Sequence, residues 1–138
     1  MNQPTDLDLN TYLARGVAHT ASLVFPGKIN ALGTLFGGEA MRLMDEVASI
    51  AALRCARTSV VTVASDRIEF HVPIKVGALV ELEAHVTRIG RTSMTVAVEL
   101  WAEDLRAGTR LLATSGQFTL VAVDDEGRPI PVISAKPS

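Results

Sequence analysis

The sequence predicts a single α+β domain in which one helix packs against an antiparallel sheet. Residues 39–55 are rich in Met, Leu, Ala and Glu, which favour a helix. From residue 59 onward, long runs alternate apolar and polar side chains, as half-buried strands do. One strand, one helix and then four strands is an order typical of α+β folds. The 138 residues are enough for one core. We therefore predict a single domain over 1–138, with an N-terminal segment, 1–15, and a flexible tail, 132–138.

The first strand is predicted over residues 20–25 and ends at the turn signal Pro26-Gly27. Four longer strands follow the helix and are predicted over residues 59–70, 78–89, 92–102 and 109–123. In two of them alternate positions are apolar and should face the core: Val80, Leu82, Ala84 and Val86, then Met94, Val96, Val98 and Leu100. Because one helix is predicted, it must supply the whole helical layer.

The predicted helix is apolar over more than half of its circumference, as expected for a helix covered by a sheet. Asp45 lies where the apolar and polar sectors meet. A structural interpretation pairs it with Arg42, one turn earlier, at a solvated edge. A functional interpretation makes it a partly desolvated carboxylate, suited to a general base or a nucleophile.

The loop before the helix favours the functional interpretation. Gly37 and Gly38 allow a ligand to approach the backbone closely, and the first N–H groups of a helix are unsatisfied electropositive donors that suit an oxyanion. Gly38 and Asp45 are seven positions apart, so they share one side of the helix. Structural alternatives remain open: in these, the glycines serve only to start and pack the helix, and Asn30 is an ordinary turn residue.

Together these residues form the pattern N-x-x-G-x-x-F-G-G-x-x-x-x-x-M-D, which resembles the hotdog-fold acyl-CoA thioesterases. The resemblance is to the bacterial single-domain relatives of the brain-type cytosolic acyl-CoA hydrolase and covers about residues 19–132. Further matching segments are residues 60–70, Pro73 with Val76-Gly77, and residues 90–94.

The resemblance implies a hotdog fold, in which a long central helix is wrapped by an antiparallel sheet of five to six strands. It implies catalytic roles for Asp45 and Asn30, contributed by different subunits, and carbonyl polarisation by backbone N–H groups at Gly37 and Gly38. The expected reaction is hydrolysis of acyl-CoA to a free fatty acid and coenzyme A. The expected assembly is a homo-oligomer, at least a dimer, and a hexamer of three dimers is favoured over a tetramer.

The resemblance also places a coenzyme A contact at a predicted turn, where a cation and hydroxyls would meet phosphate oxygens. The implied coenzyme A residues are Gly90, Arg91, Thr92, Ser93, Val63 and Ser65. A plain hairpin turn and simple strand packing of Ser65 are the structural alternatives. No cofactor is expected, because coenzyme A is part of the substrate and product.

Composition argues against several other classes of partner. The net charge of -2 and the scattered basic residues give no footprint for nucleic acid or an anionic membrane. No apolar run approaches the roughly 20 residues of a membrane span. The polar, acidic start, without a secretory pattern, favours the cytoplasm. His19, His71 and His85 lack metal-ligand spacing, so no metal is expected, and Cys55 is predicted to pack in the core.

Two alternative functions remain within the same fold. A hotdog-fold hydratase or dehydratase would use a histidine with an acidic residue, and no histidine is predicted at the helix entrance. A non-catalytic acyl-CoA-binding sensor that regulates genes would need an added DNA-binding segment. The residues before Thr11 are too few and too acidic to form one.

Overall fold

The computed structural model describes residues 6–134, with side chains from residue 8 onward. Its elements are α1 (Asp6–Arg15), β1 (Val17–Leu23), a 3-10 turn (Pro26–Lys28), α2 (Gly37–Ala56), β2 (Ser59–Phe70), β3 (Leu79–Ile89), β4 (Ser93–Asp104) and β5 (Thr109–Val123). The strands form one antiparallel sheet in the order β1-β3-β4-β5-β2. This confirms the predicted α+β fold, with five strands wrapped on a long helix.

Helix α2 lies across the sheet and supplies most of the helical side of the core. The side chains that it buries are Ala40, Met44, Val47, Ala48, Ala51, Ala52 and Cys55. The small residues among them let the helix approach the strands closely. The alternation predicted for β3 and β4 is confirmed, because both sets of apolar residues are buried against this helix face. Arg57, in the left-handed conformation, ends α2 by donating its N–H to Leu53 O.

The prediction that a single helix supplies the whole helical layer is wrong, because α1 packs against the end of α2. Arg15 Nε donates to Cys55 O at 3.0 Å, and Gly16 contacts Val86 and Cys55 so closely that a Cβ would not fit. The segment contains Asp, Asn and Thr, which are weak helix formers. Its helix therefore depends on tertiary contacts that the local sequence does not reveal.

The predicted N-terminal segment, 1–15, and the predicted flexible tail, 132–138, are each described only in part. Residues 1–5 of the N-terminal segment and 135–138 of the predicted flexible tail lie outside the described residues. The tail begins at Val132, which is buried and donates its N–H to Arg91 O at 2.9 Å. The chain near Val132 is therefore held against the β3–β4 turn.

Strand β2 forms one edge of the sheet and pairs only with β5. Ten of its twelve residues are exposed, including Val61 (46%) and Val63 (57%). Its register with β5 shifts twice, and at the second shift Arg67 adopts a left-handed backbone with φ 52°. The adjacent Ile68 lies over Gly116, where there is no room for a side chain. The structure thus leaves a long edge strand with apolar side chains uncovered in the protomer.

Candidate active site

Asp45 lies midway along α2, where its half-buried carboxylate meets β2. Thr62 Oγ1 donates to Asp45 Oδ1 at 2.6 Å, a short distance typical of a hydroxyl bonded to a charged acceptor. Arg42 instead pairs with Glu39 at 2.7 Å and with Glu46 at 3.4 Å. The surface ion pair between Asp45 and Arg42 is therefore not formed. Thr62 fixes one carboxylate oxygen and orients the other away from itself.

The start of α2 is open and has no side-chain cap. Its N-cap is Phe36, and the first intrahelical bond runs from Ala40 N to Phe36 O at 3.0 Å. Gly37 and Gly38 have helical backbones without positive φ. A Cβ on Gly38 would meet nothing within 4 Å, and one on Gly37 would meet only the Phe70 ring, at 3.6 Å. Neither backbone conformation nor packing within the described chain therefore requires these two glycines.

Gly37 and Gly38 are the first two residues of α2. Their position leaves unobstructed space in front of the first N–H groups of α2, which point out of the helix and carry partial positive charge. A ligand oxygen approaching this end would meet backbone donors without a side chain in the way. The arrangement suits an anion or a carbonyl that develops negative charge.

Asn30 holds the loop that leads into α2. Its Oδ1 accepts from Leu32 N at 2.9 Å, from Thr34 N at 3.2 Å and from Thr34 Oγ1 at 3.2 Å. Its backbone also bonds with Thr34 O and with Gly33 N. Asn30 thus acts as a turn residue, which was the structural alternative considered for it. Because the side-chain oxygen serves the loop, the NH₂ group is the part that Asn30 can offer to a ligand.

The predicted catalytic residues do not form one cluster within a protomer. Asp45 is eight residues after Gly37, which corresponds to about 12 Å along the helix axis. Reacting groups must approach to about 3 Å. Among the described residues, no hydrogen bond joins Asp45 to Asn30. A carbonyl at the start of α2 is therefore out of reach of the Asp45 on the same helix.

A pocket of about 300 Å³ opens beside the start of α2, between its first turn, the end of β2 and Thr114 within β5. Gly37, Ala40 and Phe70 line it, together with two polar residues, His71 and Thr114. His71 Nε2 lies 3.0 Å from Ser115 Oγ. The sequence did not place a histidine at the helix entrance, so His71 corrects that expectation.

The predicted coenzyme A turn connects β3 to β4. Gly90 N donates to Ser93 O at 2.8 Å, and Thr92 O accepts from Ala122 N at 2.9 Å, while the Arg91 side chain is exposed. The backbone of the turn is thus held in the fold and its cation faces outward.

Strand registry relates this turn to the carboxylate. Ile89, Met94, Leu120 and Thr62 lie in one row across β3, β4, β5 and β2. The turn is therefore at the same end of the sheet as Thr62 and Asp45, about 14 Å away across three strand spacings. Val63 and Ser65, the other predicted coenzyme A residues, are exposed on the β2 edge.

Other features of the described residues bear on the remaining expectations. No group of three or more His, Cys, Asp or Glu side chains in this region could hold a metal ion. No helix in the same region is long and apolar enough to cross a membrane. Cys55 is buried in the core, as predicted, and burial raises the pKa of its thiol to about 11.

Residues 32–109 match the thioesterase superfamily. The chain belongs to this family. An uncharacterised acyl-CoA thioester hydrolase of Zymomonas mobilis is 40% identical over 132 residues, which cover 95% of this chain and 89% of that protein. The human cytosolic acyl coenzyme A thioester hydrolase is 37% identical over 112 residues, covering 80% of this chain but only 30% of the human protein.

Solved structures share both fold and sequence with this thioesterase. The structure of an apo-hexameric acyl-CoA thioesterase superposes with a TM-score of 0.85 at 40% identity, covering 91% of this chain and 81% of that one. An acyl-CoA hydrolase from Staphylococcus aureus, solved with butyryl coenzyme A, coenzyme A and coenzyme A disulfide, gives 0.83 at 35% identity, covering 91% and 77%. These likenesses confirm the hotdog fold.

Sequence reasoning missed three polar residues of this thioesterase: Thr62, His71 and Thr114. Thr62 lies in an apolar run whose inward side is obscured by a register shift at the next residue. His71 directly follows β2 and Thr114 lies within β5, and only the folded sheet brings the two together. One feature of the sequence pointed to Thr62: it places a hydroxyl in a strand that is expected to pack beside the helix that carries Asp45.

Proposed function

We propose that this thioesterase hydrolyses acyl-CoA esters to a free acid and coenzyme A. The observation behind the proposal is the open, uncapped start of α2, where two glycines that the chain itself does not need leave backbone donors accessible. The names of the relatives support it, because they describe acyl-CoA thioester hydrolases.

The proposed site is composite and needs two protomers. One protomer cannot bring its own Asp45 to its own helix start, which is about 12 Å away. Pairing of β2 with the β2 of a second copy would cover the exposed edge and place the second α2 beside the first. Hexameric relatives support a homo-oligomer, which we propose is a hexamer of three such dimers. Relatives named cytosolic support a cytoplasmic location.

In the proposed mechanism, the backbone N–H groups at Gly37 and Gly38 polarise the thioester carbonyl. The partner subunit's Asp45 then removes a proton from water, whose oxygen adds to the carbonyl carbon. The C–S bond breaks, and the proton passes to the departing sulfur. Asn30 orients the water or the intermediate through its NH₂ group. In the alternative route, Asp45 attacks the carbonyl carbon directly and water hydrolyses the resulting anhydride.

The spacing of residues studied in a relative supports this assignment. The Staphylococcus aureus enzyme was solved with alanine in place of one asparagine, one aspartate and one threonine. The aspartate follows the asparagine by fifteen positions and precedes the threonine by seventeen. Asn30, Asp45 and Thr62 have the same two spacings. We therefore include Thr62 as the residue that positions the Asp45 carboxylate.

The primary test replaces Asp45 with Asn, which keeps the size of the side chain and removes its basicity. The kcat for release of free thiol from acyl-CoA should fall about 10²–10⁴-fold, with the melting temperature and oligomer size retained. Glu46→Gln is the matched control, because Glu46 is an exposed carboxylate on the same helix and should leave hydrolysis unchanged. Near-normal hydrolysis by the Asp45→Asn variant would contradict the proposal.

Label in the Asp45 carboxylate after a single turnover in ¹⁸O-labelled water would establish the direct-attack route. Direct attack predicts that label enters the Asp45 carboxylate when the anhydride is hydrolysed at that carbon, and general-base catalysis predicts label only in the free acid.

We further propose that Arg91 binds phosphate oxygens of coenzyme A, because it is exposed on a turn whose backbone is fixed. Arg91→Ala should raise KM for acyl-CoA with little change for a short thioester that lacks the nucleotide. Arg106→Ala is the control, because this exposed arginine lies on the β4–β5 turn at the opposite end of the sheet. Equal effects of the two substitutions would exclude a specific role for Arg91.

His71 gives one alternative a specific basis, because a histidine in the pocket suits proton abstraction next to a thioester in a hydratase. Following enoyl-CoA absorbance tests this reaction directly. We expect no change in absorbance and release of thiol from saturated acyl-CoA. Binding of acyl-CoA without thiol release would instead indicate a non-catalytic sensor.

A further inference from the structure

The pocket beside the start of α2 contains a buried polar group that the fold does not use. Thr114 is 1% exposed, and its Oγ1 has no hydrogen-bond partner. It is the only polar residue among the fully buried ones of the described chain. A buried hydroxyl without a partner lowers stability, and a valine of the same shape would not have that cost. The fold alone therefore gives no reason for a hydroxyl at this position.

The position of Thr114 relates it to the substrate. Its neighbours along the helix-facing side of β5 are Gly116, Phe118 and Leu120, none of which has a polar side chain. Across the pocket, Gly37 belongs both to the pocket wall and to the helix start. A thioester carbonyl held at that helix start would thus direct its acyl chain into the pocket and toward Thr114. This step rests on the proposed hydrolysis of acyl-CoA.

The size and lining of the pocket limit the acyl group. A volume of about 300 Å³ is at the lower end for ligand pockets, which favours a short acyl chain. Leu35, Ala40 and Ile74 make much of its wall apolar. An acyl chain bearing an oxygen would find few partners among them, but a hydroxyl can donate to a keto oxygen and can donate to or accept from an alcohol.

We infer that the Thr114 hydroxyl hydrogen-bonds an oxygen on the acyl chain, so that the thioesterase favours short hydroxyacyl- or oxoacyl-CoA over unsubstituted acyl-CoA of equal length. Thr114 lines the pocket, and rotation about χ1 can place its hydroxyl in any of three staggered positions. The ligand oxygen then satisfies a donor that is otherwise orphaned. Thr114 is thus a specificity residue and takes no part in bond breaking.

The test compares kcat/KM for butyryl-CoA with that for 3-hydroxybutyryl-, 4-hydroxybutyryl- and acetoacetyl-CoA. For the wild-type protein, we expect the best substituted substrate to exceed butyryl-CoA by about threefold to tenfold, the usual range for one hydrogen bond. Thr114→Val should remove that ratio, because it keeps the shape and deletes the hydroxyl. Thr114→Ser should retain it.

Three outcomes are distinguishable. A wild-type ratio of one or less for every substituted substrate overturns the inference, even if neither variant folds. A wild-type preference that persists in a folded Thr114→Val variant also overturns it. Both results leave acyl-CoA hydrolysis intact as long as butyryl-CoA is cleaved, whereas failure of the wild-type protein to cleave these four esters and longer acyl-CoA esters alike would overturn the proposed function itself.

Discussion

Two inactive variants of this thioesterase should restore each other's activity when their chains are mixed. The distance of about 12 Å along α2 separates Asp45 from the helix start of the same chain, so each site should combine Asp45 of one protomer with Asn30 of its partner. In a dimer of Asp45→Asn and Asn30→Ala chains, one site then carries both substitutions. The other site carries neither.

The expected magnitude follows from random pairing. If a fraction x of chains carries Asp45→Asn and the rest carry Asn30→Ala, the fraction of intact sites is x(1−x). Activity should therefore follow a symmetric curve that peaks at equal proportions, at about a quarter of the wild-type value. The same curve holds for a single dimer and for a hexamer of three dimers, because only pairing within a dimer decides it.

The assay is free-thiol release from acyl-CoA after co-expression of the two chains in varied proportions, with the proportions measured by mass spectrometry. Asn30→Asp serves as a second variant, because it keeps the side-chain oxygen that accepts from Leu32 N and Thr34 N while removing the NH₂ group. If mixed dimers form and activity stays at the level of the single variants at every proportion, the site lies within one chain and the composite arrangement is refuted.

Three further predictions concern positions outside that pair. Thr62→Val should lower kcat about tenfold to a hundredfold, because it removes the 2.6 Å hydrogen bond to Asp45 and hydrogen bonds to charged groups contribute about 1.5–3 kcal/mol. Thr62→Ser keeps the hydroxyl, so an equal loss of kcat in that variant would contradict this reason. Gly116→Ala should destabilise the protein by about 1–3 kcal/mol in urea unfolding, because the new methyl group would overlap Ile68. Adding Ile68→Val should restore most of the lost free energy of unfolding. If it restores none, the overlap is not the cause. Burial raises the pKa of Cys55 from 9.0 to about 11, so the unfolded chain loses this proton first and the free energy of unfolding should fall as pH rises from about 9 to 11. Cys55→Ala should lack that part of the fall, and parallel curves for the two proteins would contradict it.

The sequence predicts the strands of this fold well, because most of them have one buried and one solvated face. The bounds of β2 and β5 agree with the predicted ranges 59–70 and 109–123, and β3 and β4 differ by one or two residues. The first strand was predicted less well, because β1 begins three residues before and ends two residues before the predicted range 20–25. Helix α2 begins at Gly37, two residues earlier than predicted, because the Phe36 carbonyl accepts the first intrahelical bond. Helix ends are set by backbone bonds and are harder to read from side-chain patterns.

Features that depend on contacts between distant segments could not be predicted in the same way. The α1 helix contains several weak helix formers, Asp, Asn and Thr among them, and is held by contacts with α2. Thr62 lies beside Asp45, and Thr114 lies in a pocket formed with residues about 40 to 80 positions earlier in the chain. Threonine is common in strands, so neither residue differs from its neighbours until the fold brings it against a helix.

The uncovered β2 edge has a consequence for how the enzyme responds to its own abundance. If Asp45 and the helix start cooperate only across paired β2 strands, a lone protomer is folded but inactive. The number of complete active sites then rises with the square of the protomer concentration when dimers are scarce. Specific activity would then fall reversibly on dilution. A substitution at Val61, which would weaken pairing without touching the reacting atoms, would then lower activity in a way that a higher protein concentration restores.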